Sequence, residues 1–193
     1  VKAIKACVKD IFQQTGMQVE KVNVNCNGQH IKMTQKRLSI DLKLKDDAFA
    51  QLDYKALIRN TYPSLIDEKE EIIKAMPNNP HFAGGKSIDF TMITGNKNAI
   101  ANLKKAVNLA GLEVNELVPE PLASSHSVLL SKEKEEGVVL VDIGRDTSNI
   151  AIFDQNKIKL CFTFPAGGDA INRELIDYYH LSYQQAETLK RHY

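Results

Sequence analysis

The sequence has no tryptophan, only three cysteines, no excess of charge of either sign and no long apolar run. Each absence removes a class of protein. Cys7, Cys26 and Cys161 are scattered and odd in number, which fits reduced thiols in a cytosolic core better than a disulfide framework. Lys+Arg is 25 and Asp+Glu is 24, for a formal net charge of +1. That balance argues against a broad basic field for nucleic acid, and no nucleic-acid partner is expected. No apolar stretch reaches the roughly 20 residues that a membrane-spanning helix needs, and no secretory signal opens the chain. The five histidines, at positions 30, 81, 126, 180 and 192, lack metal-ligand spacing. What remains is an ordinary globular composition, 43% hydrophobic and 25% charged over 193 residues, enough for one domain or two small ones. The first residue is Val1, and the chain reads as a trimmed piece of a longer polypeptide.

Hydrophobic spacing sets out the elements. Val1, Ile4, Val8, Ile11 and Phe12 predict a first helix ended by Gly16. Val22, Val24 and Cys26 alternate with Asn23, Asn25 and Asn27, which predicts a half-buried strand. Gly28 permits a bend, and a second alternation carries Leu38, Ile40, Leu42 and Leu44. Asp46 to Tyr62 reads as a helix stopped by Pro63, and Ile66 to Ala75 as another. A loop from Pro77 to Gly85 precedes a strand from Ser87 to Thr94, with Ile88, Phe90 and Met92 on one face. Asn96 or Asn98 caps a helix closed by Gly111, and Leu112 to Val118 is extended. Pro119 or Pro121 opens a further helix that fades into the charged run Ser131–Glu136, read as a solvated end and loop. Val138 to Val141 has the continuous apolar character of a buried strand. Asp154-Gln155-Asn156 is a hairpin turn, Gly167-Gly168 precedes a helix near Asp169, and Ser182 with Gln185 forms a capping box. Strands alternating with helices, plus hairpins, indicate an α/β chain with mixed sheets.

One segment carries recognisable chemistry, from Val138 through Asp142-Ile143-Gly144-Arg145-Asp146-Thr147-Ser148-Asn149 to Phe153. A strand ends in Asp-x-Gly, passes a hydroxyl-bearing turn and returns as a strand. Gly144 allows a tight turn with exposed amides, which form a concavity for phosphate oxygens. Asp142 is placed to hold a hydrated Mg²⁺, which takes few carboxylates and keeps several waters. On local pattern alone, a plain hairpin with an Asp-x-Gly turn accounts for the segment equally well.

Its surroundings add a second signal. Upstream stands Gly111-Leu112-Glu113-Val114-Asn115-Glu116-Leu117-Val118-Pro119-Glu120-Pro121-Leu122-Ala123-Ser124-Ser125, and downstream Phe164-Pro165-Ala166-Gly167-Gly168-Asp169-Ala170-Ile171 and Ala186-Glu187-Thr188-Leu189-Lys190. This order resembles the actin-like ATPase superfamily and, within it, the FtsA family of bacterial cell-division proteins. The resemblance is specific from about Ile93 onward. It is weaker over residues 1–44, where Asn27-Gly28-Gln29-His30-Ile31 is similar to an FtsA strand and turn. It implies that Asp142, Gly144, Thr147 and Ser148 belong to a phosphate-binding loop for ATP with Mg²⁺, the metal at Asp142. It sets Glu120 where relatives place a residue that orients attacking water. It also implies that Gly167 and Gly168 turn the chain closely into the next helix, and that Glu187 and Lys190 face the ribose. Without the resemblance, Glu120 is a first-turn carboxylate on its own helix dipole, and Glu187 with Lys190 an exposed ion pair.

The resemblance further implies actin-like, ribonuclease H-like large-subdomain pieces plus a small α+β FtsA-type insert. Residues 1–40 and 118–136 would belong to the first large subdomain, 41–117 to the insert, and 137–193 to the start of the second. The parent would be a cell-division scaffold that binds ATP, hydrolyses it weakly at most and self-associates into filaments. It would work with FtsZ and other division proteins at the cytoplasmic face of the membrane, attached through a C-terminal helix beyond these residues. The alternatives are a pilus-assembly scaffold and a sugar-kinase-like or Hsp70-like phosphoryl-transfer enzyme. Arg145, Asp146 and Asn149 depart from the small-residue turn and acidic end of relatives. The first phosphate loop and the adenine-side glycine motif are expected outside residues 1–193, so this stretch alone is expected to bind no ATP appreciably.

Overall fold

In the computed structural model, described over residues 1–39, 65–78 and 87–192, the chain divides into two compact units. The first comprises Val1–Cys26 and His30–Pro119. It opens with α1 (Lys2–Thr15), which ends as Gly16 enters the left-handed region at φ 71° and donates its N–H to the Phe12 carbonyl at 2.8 Å. β1 (Lys21–Cys26) alternates as its sequence predicts, with the valines half-buried and Cys26 buried. It pairs in parallel with β5 (Glu113–Pro119).

A second, antiparallel sheet has the order β2 (Lys32–Ser39), β4 (Ser87–Asn96), β3 (Glu70–Pro77). Its central strand is buried on both faces: Phe90 and Ile93 have no exposure, and Thr91, Met92 and Thr94 are also buried. Gly95 is closely packed here: a Cβ would meet the Cδ1 atoms of Ile31, Ile73 and Ile100, each at 3.0 Å, and those side-chain ends would have to give way. Asn96 then caps α2 (Lys97–Leu109), accepting from the Asn98 and Ala99 amides at 3.0 and 3.1 Å.

The helix expected over Ile66–Ala75 is instead the strand β3. Ile72 and Ile73 are adjacent β-branched residues and both are buried, which a bulge between Ile72 and Lys74 accommodates. Glu70, at the start of this strand, accepts from Lys32 at 2.5 Å and from Thr94 at 2.8 Å. The Lys32 contact is the main reason its carboxyl sits below the usual range. The helix expected over Asp46–Tyr62, the alternation beyond Ser39 and most of the Pro77–Gly85 loop lie outside the described residues.

The second unit comprises Asn27–Gln29 and Glu120–Tyr193. α3 (Glu120–Val128) buries Pro121, Leu122 and Ser125. The charged run forms its own short helix, α4 (Ser131–Glu136), closed by Gly137 at φ 103°. Three antiparallel strands follow in spatial order, β6 (Val138–Ile143), β7 (Ser148–Asp154) and β8 (Lys157–Phe164). Gln155 and Asn156 take φ of 52° and 58°, the paired left-handed geometry of a tight hairpin. α5 (Gly168–Tyr179) and α6 (Tyr183–Arg191) complete the unit, the latter capped reciprocally by Ser182 and Gln185.

β6 is not the fully buried strand its apolar run predicts. It lies at the sheet edge with alternating burial, and Val139, Val141 and Ile143 are 57%, 51% and 69% exposed. Among the described residues, no helix is long and apolar enough to cross a membrane.

Candidate functional site

The Asp142–Ser148 segment is a turn at one end of the β6–β7 hairpin. The Gly144 N–H donates to the Thr147 carbonyl at 2.9 Å and closes it. Among the described residues, the next three amides, of Arg145, Asp146 and Thr147, donate to no carbonyl and no side chain. Consecutive amides of this kind form an anion cradle.

The cradle is braced from behind by the start of α5. Gly168 N–H donates to the Gly144 carbonyl at 2.9 Å, and Asp169 N–H to the Arg145 carbonyl at 2.8 Å. Two of the amides a helix start leaves unsatisfied are thereby used. Ser148 Oγ donates to the Ala166 carbonyl at 2.7 Å. Gly167 permits the approach: a Cβ there would lie 2.5 Å from the carbonyl oxygens of both Gly144 and Arg145.

Beneath the turn, one face of the sheet carries a polar row. Asp142, Asn149 and Thr163 are cross-strand neighbours on β6, β7 and β8. α3 contributes two partners. Ser124 Oγ donates to Asp142 Oδ2 at 3.2 Å, and Glu120 Oε2 accepts from Asn149 Nδ2 at 3.3 Å. Thr163 Oγ1 lies 2.9 Å from Asn149 Oδ1 and 3.0 Å from Asn27 Oδ1. Asn27 Oδ1 also accepts from the Gly28 amide at 2.6 Å, and the single Thr163 hydroxyl proton serves one of the two asparagine oxygens at a time. Asn27 Nδ2 reaches Thr147 Oγ1 at 3.4 Å. Asp142 keeps Oδ1 without a described hydrogen bond, so the row fits one carboxylate oxygen offered to a hydrated cation. No group of three or more potential metal ligands occurs among the described residues, and Mg²⁺, which keeps its waters, needs none.

The charged departures lie on the outer side of the turn. The Arg145 guanidinium is 3.9 Å from the carboxylates of both Asp146 and Asp169 and 5.7 Å above the Tyr183 ring. Asp169 is buried, accepts from the Tyr183 hydroxyl at 2.8 Å and pairs with Arg173 at 3.0 Å. These contacts, the tyrosine first, hold its carboxyl below the usual range. On α6, Glu187 accepts from Lys190 at 2.6 Å, Asn172 at 2.7 Å and Arg191 at 2.8 Å. Lys190 leads in lowering the Glu187 carboxyl to about 2. Lys190 Nζ also lies 3.3 Å from the Gly168 carbonyl.

The structure therefore brings the expected residues into two groups. Asp142, Gly144, Thr147 and Ser148 share the turn and its strand ends, Glu120 reaches only the neighbouring Asn149, and Gly167 and Gly168 link that turn to Lys190 and, through it, Glu187. Sequence reasoning quoted Asn27 and Ser124 only as parts of longer motifs and missed Thr163, Asn172 and Tyr183 as members. Their partners lie on other elements, and no local pattern marks the last three.

Comparison with known proteins adds the family. The family model described as "Type IV pilus assembly protein PilM" matches residues 1–193. The chain belongs to this PilM family. It is also similar to curated cell division proteins FtsA. That of Neisseria meningitidis serogroup B is 28% identical across 100% of this chain and 49% of its own length. That of Bacillus subtilis is 23% identical across 99% of this chain and 46% of its own length. The chain thus spans about half the length of the curated relatives it matches. A solved PilM-PilN type IV pilus biogenesis complex superimposes with a TM-score of 0.71 over 98% of this chain and 55% of that one, at 16% identity. The fold is actin-like, and the FtsA resemblance read from the motifs is borne out.

Proposed function

We propose that these residues form part of an actin-like, nucleotide-responsive scaffold that serves a membrane-bound assembly from its cytoplasmic side. The observation that supports this reading is the turn: three consecutive free amides above a cross-strand carboxylate, with Glu120 alongside. ATP would lay phosphate oxygens on the Arg145–Thr147 amides, and Mg²⁺ would neutralise their charge at Asp142. Glu120 would orient a water. Lys190 and Glu187 would face the sugar. Type IV pilus assembly is the reading we favour, because the family match spans residues 1–193. A PilN-like protein would then be the partner. The cell-division reading, with FtsZ as partner and filaments at the division site, is supported by the FtsA relatives.

The described residues supply one face of such a site, so binding at about millimolar or weaker is expected, worth about 4 kcal/mol or less. Amide NMR with millimolar Mg-ATP tests this. Shifts concentrated at Arg145, Asp146 and Thr147 support the reading. No shift there, or micromolar affinity by calorimetry, refutes it as stated. Co-purification with PilN or with FtsZ separates the two assemblies.

A further inference from the structure

Asn172 sits within α5 with no solvent exposure. Its Nδ2 donates to Glu187 Oε2 on α6 at 2.7 Å, while its Oδ1 has no hydrogen-bond partner. The orientation of the amide follows from its neighbour: a flipped group would set oxygen against carboxylate and leave the NH₂ unpaired. A buried oxygen without a partner forfeits the hydrogen bond that water would give it. Helix packing alone does not call for that cost. Ala186, also with no exposure, lies on α6 beside Glu187 and brings no polar group.

What the asparagine does is hold Glu187. The other two donors, Lys190 and Arg191, lie on the same helix as the carboxylate and travel with it. Arg191 is 75% exposed, and such surface pairs contribute little. Asn172 is the described hydrogen bond that fixes the carboxylate from another element. The Lys190 ammonium, tied to Glu187, reaches the Gly168 carbonyl, and the Gly168 amide is bonded to Gly144 of the turn. Lys190 and Glu187 keep 22% and 27% side-chain exposure, so both remain within reach of a ligand.

We infer that Asn172 is a positioning residue: it fixes the Glu187 carboxylate, and through it the Lys190 ammonium, against the Gly168 turn. Only the ligand of the pair, a nucleoside sugar, rests on the nucleotide reading. The test is an acid titration of the 193-residue chain by carbon-detected NMR, following the Glu187 carboxyl and the Asn172 side-chain amide. Glu187 is held at about 2 in the native chain, chiefly by Lys190. The Asn172 amide protons are expected to move with Glu187 through that midpoint. Asn172→Ala should raise the midpoint by about half a unit or more. Asn172→Asp, equal in size, should couple the two carboxyls, so that they titrate in two separated steps with the upper one well above the native midpoint. Tyr183→Phe removes a different α5–α6 bond and should leave the midpoint in place.

An Asn172 amide that ignores the Glu187 titration overturns the proposal, and this requires no variant. So does an unchanged midpoint in both Asn172 variants, or an equal shift in Tyr183→Phe. Mg-ATP added to the native chain is read separately. If it leaves the Lys190 and Arg145–Thr147 signals unmoved, the nucleotide reading fails while the titration still decides the role of Asn172.

Discussion

Asp146 sets a carboxylate beside the three free amides of the turn, and its effect on an anion depends on how much water screens it. A bare pair at ~5 Å and an effective dielectric of ~20 would cost roughly 3 kcal/mol. Its side chain is 68% exposed, however, and Arg145 lies 3.9 Å away, which reduces the penalty to about 1 kcal/mol or less. Asp146→Gly should therefore tighten the response of the Thr147 amide to Mg-ATP by up to about fivefold. Arg145→Ala should weaken it by a similar factor. An Asp146→Gly titration that matches the native curve would show that the carboxylate points away from the ligand. Gly167 is constrained by backbone. With oxygen atoms 2.5 Å from any Cβ, Gly167→Ala must push the α5 start off the turn and lose the Gly168 and Asp169 amide bonds. The expected loss is about 2–4 kcal/mol in urea denaturation. A loss below about 0.5 kcal/mol, the range of an ordinary surface substitution, would mean that the two segments are not tightly apposed.

At the scale of elements, α5 and α6 are joined by polar contacts more than by apolar burial: Asp169 to Tyr183, Asn172 to Glu187, with Ala186 buried beside them. Such a joint is sensitive to acid. Glu187 ordinarily titrates near 4.5 and is lowered to about 2, and Asp169 is lowered in the same direction. A depressed carboxyl contributes stability that is complete above its unfolded value and disappears as pH falls through its folded one. The melting midpoint should hold between pH 7 and 5 and fall as pH drops from about 4.5 toward 2, with Glu187→Gln showing a shallower acid limb. Tyr183→Phe should lower the midpoint at neutral pH by about 2–4 °C. A variant with an unchanged acid limb would assign the loss to other carboxylates. The elements themselves were legible to different degrees. Gly16, Asn96 and the Ser182–Gln185 box are local stop and start signals, and the helices they bound fall where expected. β3 was not legible, because the Ile72-Ile73 pair satisfies a helical period and only pairing with β4 decides otherwise. The Asp142–Ser148 turn was legible because Asp-x-Gly sits between two strands. Its bracing was not, since Asn27 meets Thr147 and Thr163 across 120 and 136 positions.

For the molecule as a whole, the outer face of the β6–β8 sheet matters most in solution. Its rows are apolar: Val139 beside Ile152 and Leu160, Val141 beside Ile150 and Phe162, Ile143 beside Ser148 and Phe164. Leu160, Phe162 and Phe164 are 41%, 37% and 54% exposed, alongside the exposed β6 residues. Contiguous apolar surface of this kind is uncommon on a soluble monomer. A net charge of +1 supplies little repulsion between copies. The four apolar residues Val138–Val141 suggested a strand covered on both sides, and the exposed edge shows how a run alone cannot report which face has a neighbour. The native chain should therefore bind a hydrophobic dye such as anilinonaphthalene sulfonate while keeping its cooperative melt. Val141→Thr with Phe162→Thr should remove most of that dye signal at a cost of about 1 kcal/mol or less per site, since both are partly in water already. Strong dye binding that survives the double substitution would place the exposed apolar surface elsewhere, with the α1 residues Ile11 and Phe12, 42% and 55% exposed, as the next to test.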